Sequence, residues 1–203
     1  MINKTLVIVA SGPSLDDHQV SLLNDSKVDI MVINDNYKLF PNAKFLFAAD
    51  MRWWYEHYRY VPDSISAYTL KGNPEHLGKR LPGASNRLIG IDFTHEFGLY
   101  DDKVHHGGNS GYMGLQLGRL FGYSKLILVG FDCQHTNGKR HWFGDHDKTK
   151  FTKNPDDVER WVESFGKLSK LLYNIEIVNC SKETALTCFK RQDLLDTLNE
   201  SSI

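Results

Sequence analysis

Short, uninterrupted apolar segments recur along the chain and constrain its fold more than any other feature. A run of four or five apolar residues without polar alternation is typical of a strand that is buried on both faces of a parallel sheet. Helix-compatible stretches separate these runs, so the sequence predicts an α/β fold with a Rossmann-like parallel sheet flanked by helices. The predicted strands are residues 6–10, 30–33, 45–49, 88–91, 126–129 and 175–178.

Two of the intervening stretches predict helices, at residues 109–121 and 155–173. For the second, Asn154 suits the N-cap and Pro155 the first helical position, and apolar residues then recur at helical spacing. The stretch 71–86 contains three glycines and two prolines, which predicts a long surface loop.

Composition and charge exclude several classes of protein. The 203 residues, 41% of them hydrophobic, can bury one core, so we expect a single nucleotide-binding α/β domain over residues 1–203. The formal net charge of −1 gives no global reason for tight non-specific binding to nucleic acid. The three cysteines lack C-x-x-C spacing, so neither a disulfide framework nor a cysteine-based zinc site is indicated. The first apolar run is too short for a membrane helix, and we expect no membrane segment.

The turn after the first predicted strand reads Ser11-Gly12-Pro13-Ser14-Leu15. Ligands of parallel sheets bind beyond the carboxyl ends of the strands, where a glycine lets backbone approach them. Free N–H groups at a helix start here would favour a phosphate. A plain strand-to-helix turn capped by Ser14 explains the pattern equally well, and the sequence leaves both interpretations open.

Further polar residues follow other predicted strands or precede a helix. Asn34 ends the second strand and Asp50 the third, so their amide and carboxylate groups are expected on the same rim, reading a base or a sugar hydroxyl. Asn109, Ser110 and Gly111 open a helix and suit an anion or a hydroxyl. Each residue alone is also explained by turn or cap formation, but their convergence favours a binding site.

A polar segment, residues 133–153, follows the strand that ends in Asp132 and predicts a lid over the site. Its histidines and carboxylates favour a general base whose imidazole is oriented by a carboxylate. A charged surface loop is the next interpretation, and a divalent metal site the last, because the spacing is no standard zinc signature. The residues concerned are His141, Asp145, His146 and Asp147.

Six segments together carry a resemblance to a known family. They are the turn at 11–15, the strand ending in Asn34, Ser110-Gly111-Tyr112-Met113, the stretch 121–132, His141-Trp142-Phe143-Gly144-Asp145-His146, and Cys180-Ser181. In these the chain resembles the bacterial sialyltransferases that modify lipooligosaccharide, and related prophage proteins. Two features depart from the family: Ser11 replaces its asparagine, and the lid offers His135 and Trp142 in place of its tyrosines.

The resemblance implies a Rossmann-like domain with a lid, which transfers a sugar from a cytidine nucleotide with inversion and uses a histidine as base. It implies that the glycine turn lies by the phosphate and that Asn34 contacts the donor. It also implies that His146 is the base, with His141 as its rival. Ser181 is expected at the start of the final helix, adding N–H groups to the donor site.

Three functions compete. The first is a glycosyltransferase that needs no cofactor and moves a sugar from a nucleotide-sugar donor to a hydroxyl of a glycan or a modified nucleic-acid base. The second is a pyrophosphokinase of the pterin type, a class whose members resemble this chain in the glycine turn. Such an enzyme would need magnesium at Asp50, Asp132 or Asp145. The third is a non-catalytic nucleotide-binding phage accessory protein. We expect a cytoplasmic location, in the host cytoplasm if the chain is phage-encoded. The sequence leaves open whether the chain forms a homo-oligomer.

Overall fold

The protein is an α/β structure built on an eight-stranded, fully parallel sheet, as the sequence predicts. The computed structural model describes residues 4–144 and 158–201. A separate two-stranded parallel sheet lies beside the main one. The strands are β1 (Thr5–Val9), β2 (Asp29–Ile33), β3 (Phe45–Phe47), β4 (Ser66–Leu70), β5 (Ile89–Ile91), β6 (Phe93–Thr94), β7 (Val104–His105), β8 (Lys125–Val129), β9 (Glu176–Asn179) and β10 (Lys190–Arg191).

The order of strands in the main sheet is β10-β9-β8-β1-β2-β3-β4-β5. The chain runs outward from β1 to β5, returns to place β8 on the other side of β1, and then continues to β10. The order therefore reverses between β1 and β8, which pair in register from Thr5 with Lys125 to Val9 with Val129. Such a switch point opens a crevice at the carboxyl ends of the strands.

All six predicted strands are present, and four strands were missed: β4, the two-residue strands β6 and β7, and β10 at the edge of the main sheet. The β4 sequence, Ser-Ala-Tyr-Thr-Leu, mixes polar with apolar residues and so contains no apolar run. It forms a strand because β3 and β5 supply hydrogen-bonding partners on both of its edges. Tertiary pairing decided this element, since the intrinsic strand preference of a short segment depends on its context.

Seven α-helices and two 3-10 helices, at Asn34–Lys38 and Tyr58–Tyr60, flank the sheet in the described part of the chain. None of these helices has both the length and the apolar character needed to cross a membrane. The α-helices are α1 (Asp17–Asp25), α2 (Met51–His57), α3 (Asn73–Gly78), α4 (Ala84–Arg87), α5 (Ser110–Leu120), α6 (Val158–Leu171) and α7 (Leu194–Glu200).

The prediction of a long loop at 71–86 was wrong, because α3 and α4 lie within or overlap it. Gly72 and Gly83, with φ of 90° and 85°, immediately precede the two helices, and a proline lies in the first turn of α3. Glycine and proline often indicate loops, but here they lie at the starts of helices. Glycine adopts the positive φ before each helix, and the first helical turn tolerates proline. The other two helices were predicted correctly, although residues 154–157, at the predicted start of α6, lie outside the described residues.

Alternate residues of the central strands feed two apolar cores, one on each face of the sheet. Val7 and Val9 of β1 point to one core, and Leu6 and Ile8 point to the other; all four are fully buried. Helix α5 packs on the second face, where a Cβ added to Gly114 would lie 2.9 Å from Ile33 Cδ1. This glycine therefore allows close helix-to-sheet packing, which holds the N-terminus of α5 near the strand ends.

Candidate functional site

The glycine turn and Asp132 meet at the switch point, where the protein satisfies its own hydrogen bonds. The buried Asp132 carboxylate accepts hydrogen bonds from the Ser14 amide at 2.9 Å, the Ser14 hydroxyl at 2.7 Å and the Thr136 hydroxyl at 2.9 Å. The Gly12 amide donates to the Gly130 carbonyl at 2.8 Å. The expectation of free amides at this turn was therefore wrong for Gly12 and Ser14, since both donate to protein oxygens.

The same contacts explain the glycine itself. A Cβ added to Gly12 would lie 2.1 Å from Asp132 Oδ1 and 2.5 Å from the Gly130 carbonyl oxygen. The absence of a side chain thus lets the loops after β1 and β8 touch. Helix α1 begins only at Asp17 and is capped by Asp16, whose side chain accepts from the Gln19 amide, so Ser14 is not its cap.

Burial raises the pKa of Asp132, and the three hydrogen bonds that its carboxylate accepts do not fully offset that rise. A carboxylate that is 1% exposed and already accepts three hydrogen bonds braces the two loops. No group of three His, Cys, Asp or Glu side chains within 4–144 and 158–201 has an arrangement that could hold a metal ion.

Asn36, which the sequence analysis did not single out, joins the ends of three chain segments. Its buried side-chain nitrogen lies 3.1 Å from the Val9 carbonyl and 3.1 Å from the Ser11 hydroxyl. Its side-chain oxygen accepts from the Trp142 indole at 2.9 Å, and the Trp142 amide donates to the Ser11 carbonyl at 3.1 Å. These two bonds hold Trp142, in the described part of the lid-like segment, against the end of β1. Three successive Asx residues after β2 were the signal that could have revealed Asn36.

Asn34 has two features that set it apart at the end of β2. Its φ is 52°, a left-handed conformation that is uncommon for residues other than glycine. Its side-chain oxygen is buried and has no hydrogen-bond partner in the described residues. A strained backbone and an unsatisfied acceptor in one residue are typical of a position that a ligand completes.

The N-terminus of α5 reaches the same edge of the sheet. The Asn109 side chain accepts from the Tyr112 amide at 3.0 Å and so caps the helix, as predicted. The Ser110 hydroxyl lies 3.5 Å from the amide of Ala49, which directly precedes Asp50. Asp50 itself is exposed and caps α2 by accepting from the Arg52 amide at 2.8 Å.

Glycines shape the approach to α5. Gly107 and Gly108 adopt φ of 54° and 73° immediately before the cap. A Cβ added to Gly111 would lie 2.9 Å from the Phe131 ring, so this first turn packs closely against the loop after β8. A Cβ added to Gly108 would lie 3.7 Å from the guanidinium of Arg160. This arginine brings a positive charge from α6 to the same edge of the sheet.

The candidate bases are only partly placed. The His141 ring stacks on Phe143, with centroids 4.9 Å apart and planes 11° apart, next to the anchored Trp142. His146, Asp145 and Asp147 lie outside the described residues.

We call Ser11, Asn34, Asn36, Ser110 and Trp142 the strand-end site.

Ser181 has a different position from the one expected. It lies 13 residues before α7, whose N-cap is Asp193, so it is not at the start of the final helix. Its buried hydroxyl accepts from the Phe131 amide at 2.7 Å, and its own amide donates to the Asn179 side chain at 3.0 Å. These bonds join the loops after β8 and β9.

Comparison with solved structures shows which known fold this one is similar to. The sialyltransferase CstII from Campylobacter jejuni, in complex with the substrate analogue cytidine-5'-monophosphate, is 15% identical with a TM-score of 0.57, over 93% of this chain and 84% of that chain. Its complex with CMP-3FNeuAc is 14% identical with a TM-score of 0.55, over 94% and 86%. No protein-family model matches the chain. No curated protein matches it either. The chain has a sialyltransferase-like fold.

Proposed function

We propose that this chain is a glycosyltransferase-like enzyme that binds a nucleotide-sugar donor at the strand-end site and transfers the sugar to a hydroxyl acceptor. One observation carries the proposal: the fold matches, over 93% of the chain, that of a sialyltransferase in complex with a cytidine nucleotide. The expected single domain, with residues 133–153 as its lid, belongs to the same proposal.

The contacts at the strand ends support a specific position for the donor. The unpartnered side-chain oxygen of Asn34 suits an N–H or O–H donor of the nucleotide. The first amides of a helix have no acceptor within it, so those of Ser110 and Gly111 suit phosphate oxygens. Arg160 adds positive charge near them. We therefore place the phosphate at the N-terminus of α5 and not at the glycine turn, whose amides at Gly12 and Ser14 are occupied.

The chemistry requires one proton transfer. As the acceptor oxygen bonds to the anomeric carbon, the bond from that carbon to the phosphate oxygen breaks, and the acceptor hydroxyl gives up its proton. A histidine whose pKa is near neutrality suits this step, and we assign it to His146 or to His141. The developing negative charge on the leaving phosphate is stabilised by the helix N-terminus and Arg160. The acceptor is a glycan or a modified nucleic-acid base.

A thermal-shift measurement tests this function, because a ligand that binds only the folded state raises Tm. CMP, UMP, GMP and AMP are added to the full chain, each with EDTA and with Mg²⁺. We expect CMP to raise Tm equally in both conditions, and a CMP-sugar to release CMP when an acceptor is added. If only a triphosphate with Mg²⁺ raises Tm, the pyrophosphokinase alternative replaces this proposal. Nucleotide binding without any sugar release favours the non-catalytic alternative.

A further inference from the structure

A cavity of about 800 Å³ lies outside the strand-end site, between the 3-10 helix Asn34–Lys38, α2 and the 3-10 helix Tyr58–Tyr60. Its volume falls within the range of about 300–1,000 Å³ that is usual for small-molecule sites. Nothing in the proposed donor chemistry uses it. Both polar and apolar side chains line it, and their arrangement indicates the class of ligand.

The lining of the cavity contains one lysine, Lys38, and one carboxylate, Glu56. Lys38 donates to the buried Asp35 carboxylate at 2.5 Å, so its positive charge is largely neutralised. The Nε2 atom of His57 lies 3.7 Å from the other oxygen of Asp35, behind the lining, and Glu56 supplies a carboxylate to the lining itself. The lining thus offers one ammonium, one carboxylate and one imidazole, without a strong excess of either charge, and this suits a neutral ligand that carries hydroxyl groups.

The polar side of the cavity is held rigid by aromatic contacts. His57 stacks on Trp53, with centroids 4.5 Å apart and planes 12° apart, and its Nδ1 atom lies 3.0 Å from the Tyr37 hydroxyl. The Trp53 indole donates to Asp35 at 2.7 Å. Because these side chains are already ordered, a ligand loses little free energy in arranging them. The Lys38 ammonium carries three N–H donors, so it can donate to a ligand while it remains bonded to Asp35.

The lining also has an apolar part. The Tyr60 side chain is 73% exposed at the cavity, and Pro41 and Pro62 also line it. An exposed aromatic ring packs well against the C–H face of a pyranose, whose hydroxyl groups then point sideways toward polar partners. An exposed aromatic ring together with hydrogen-bonding side chains in one cavity fits a neutral sugar.

The cavity adjoins the proposed donor site through one short helix. Asn34 begins the 3-10 helix and Lys38 ends it, and at a rise of about 2.0 Å per residue they lie about 8 Å apart along its axis. We propose that this cavity binds a neutral pyranose of the acceptor glycan, a sugar that does not itself react. The assignment of that sugar to an acceptor rests on the proposed function, whereas its binding does not require a donor.

The test uses the full chain without nucleotide and three probes, lactose, maltose and chitobiose. Each is titrated to about 20 mM, which covers millimolar affinities, and chemical-shift changes are followed by NMR. We expect at least one disaccharide to shift the resonances of Lys38, His57 and Tyr60. Tyr60→Ala should weaken that binding about tenfold, because it removes the exposed ring. Tyr173→Ala is the matched control, since Tyr173 is 88% exposed and lies two residues after the end of α6, away from the cavity lining.

The outcomes separate this inference from the proposed function. CMP affinity should be the same in Tyr60→Ala and in the wild type. If CMP binds but no disaccharide shifts these resonances, the sugar site is overturned and the donor site stands. If a disaccharide binds and no nucleotide does, the sugar site stands and the transferase proposal fails. Equal sugar binding by Tyr60→Ala, or tighter binding of glucuronic acid than of the disaccharides, would overturn the neutral pyranose.

Discussion

The Asp132 carboxylate accepts hydrogen bonds from both the backbone amide and the hydroxyl of Ser14, at 2.9 and 2.7 Å. These bonds cross the junction between β1 and β8. In doubly wound folds this switch point commonly receives the ligand's phosphate. Here a side chain of the protein takes the position of an anion. Ligand contacts are therefore expected at the ends of β2 and β3 and at the N-terminus of α5.

Gly12→Ala should destabilise the fold, because the new Cβ would lie 2.1 Å from Asp132 Oδ1 and 2.5 Å from the Gly130 carbonyl oxygen. Overpacking of this kind costs about 1–3 kcal/mol of unfolding free energy. Urea denaturation, followed by circular dichroism, measures the loss. Gly166→Ala is the control: this glycine lies within α6, nothing lies within 4 Å of an added Cβ, and alanine should stabilise the helix by about 0.5–1 kcal/mol. An unchanged midpoint for Gly12→Ala would contradict the close contact of the two loops.

Asn34→Gly should separate stability from binding. Glycine adopts the φ of 52° without strain, and the substitution removes a buried oxygen that lacks a partner, so we expect Tm to be unchanged or higher. If that oxygen binds the donor, the variant should also lose at least about tenfold in CMP affinity, which calorimetry measures.

Asn137→Gly is the matched control for Asn34→Gly. Asn137 has a φ of 53° but lies exposed in the turn between Thr136 and Lys139. Its replacement should relieve the same backbone strain and leave CMP affinity unchanged. Equal CMP affinity in the wild type and both variants would remove Asn34 from the donor site.

Stability at acid pH should depend on Asp35. Burial by itself would raise the pKa of this carboxyl group, but hydrogen bonds from Lys38 and Trp53, together with nearby His57, hold it below its ordinary value of 3.8. A carboxyl group whose pKa is lowered by folding stabilises the protein above that ordinary value, and the contribution is lost as pH falls through the folded-state pKa. Urea midpoints between about pH 5 and pH 2 should fall less steeply for Asp35→Asn than for the wild type. Asp102→Asn, at an exposed position, should keep the wild-type slope.

Removal of the base should slow sugar transfer and spare donor binding. We expect His146→Ala to lower kcat by about 10²–10⁴-fold with little change in donor affinity, since a general base acts mainly in the transition state. His141→Ala tests the rival assignment in the same assay. Full activity in both variants would require a different base.

The apolar runs were sufficient to predict most of the sheet and its class. Residues such as Leu6–Val9 are buried on both faces, so every position must be apolar, and that pattern is visible without a structure. The helix cap at Asn109 was equally visible, because capping depends on residues three apart in sequence. These features are local, and local chemistry specifies them.

Tertiary structure alone decided the partners of the polar residues. Asp132 and Ser14 are separated by 118 positions in sequence, and Trp142 and Asn36 by 106. The sequence shows that each side chain can form hydrogen bonds. Only the strand order, with β8 beside β1, shows which residue is its partner. The turn at Gly12 therefore looked open to a phosphate, whereas the Asp132 carboxylate already accepts the Ser14 amide there. A buried acceptor without a partner lies instead at Asn34, because no donor within residues 4–144 and 158–201 reaches it.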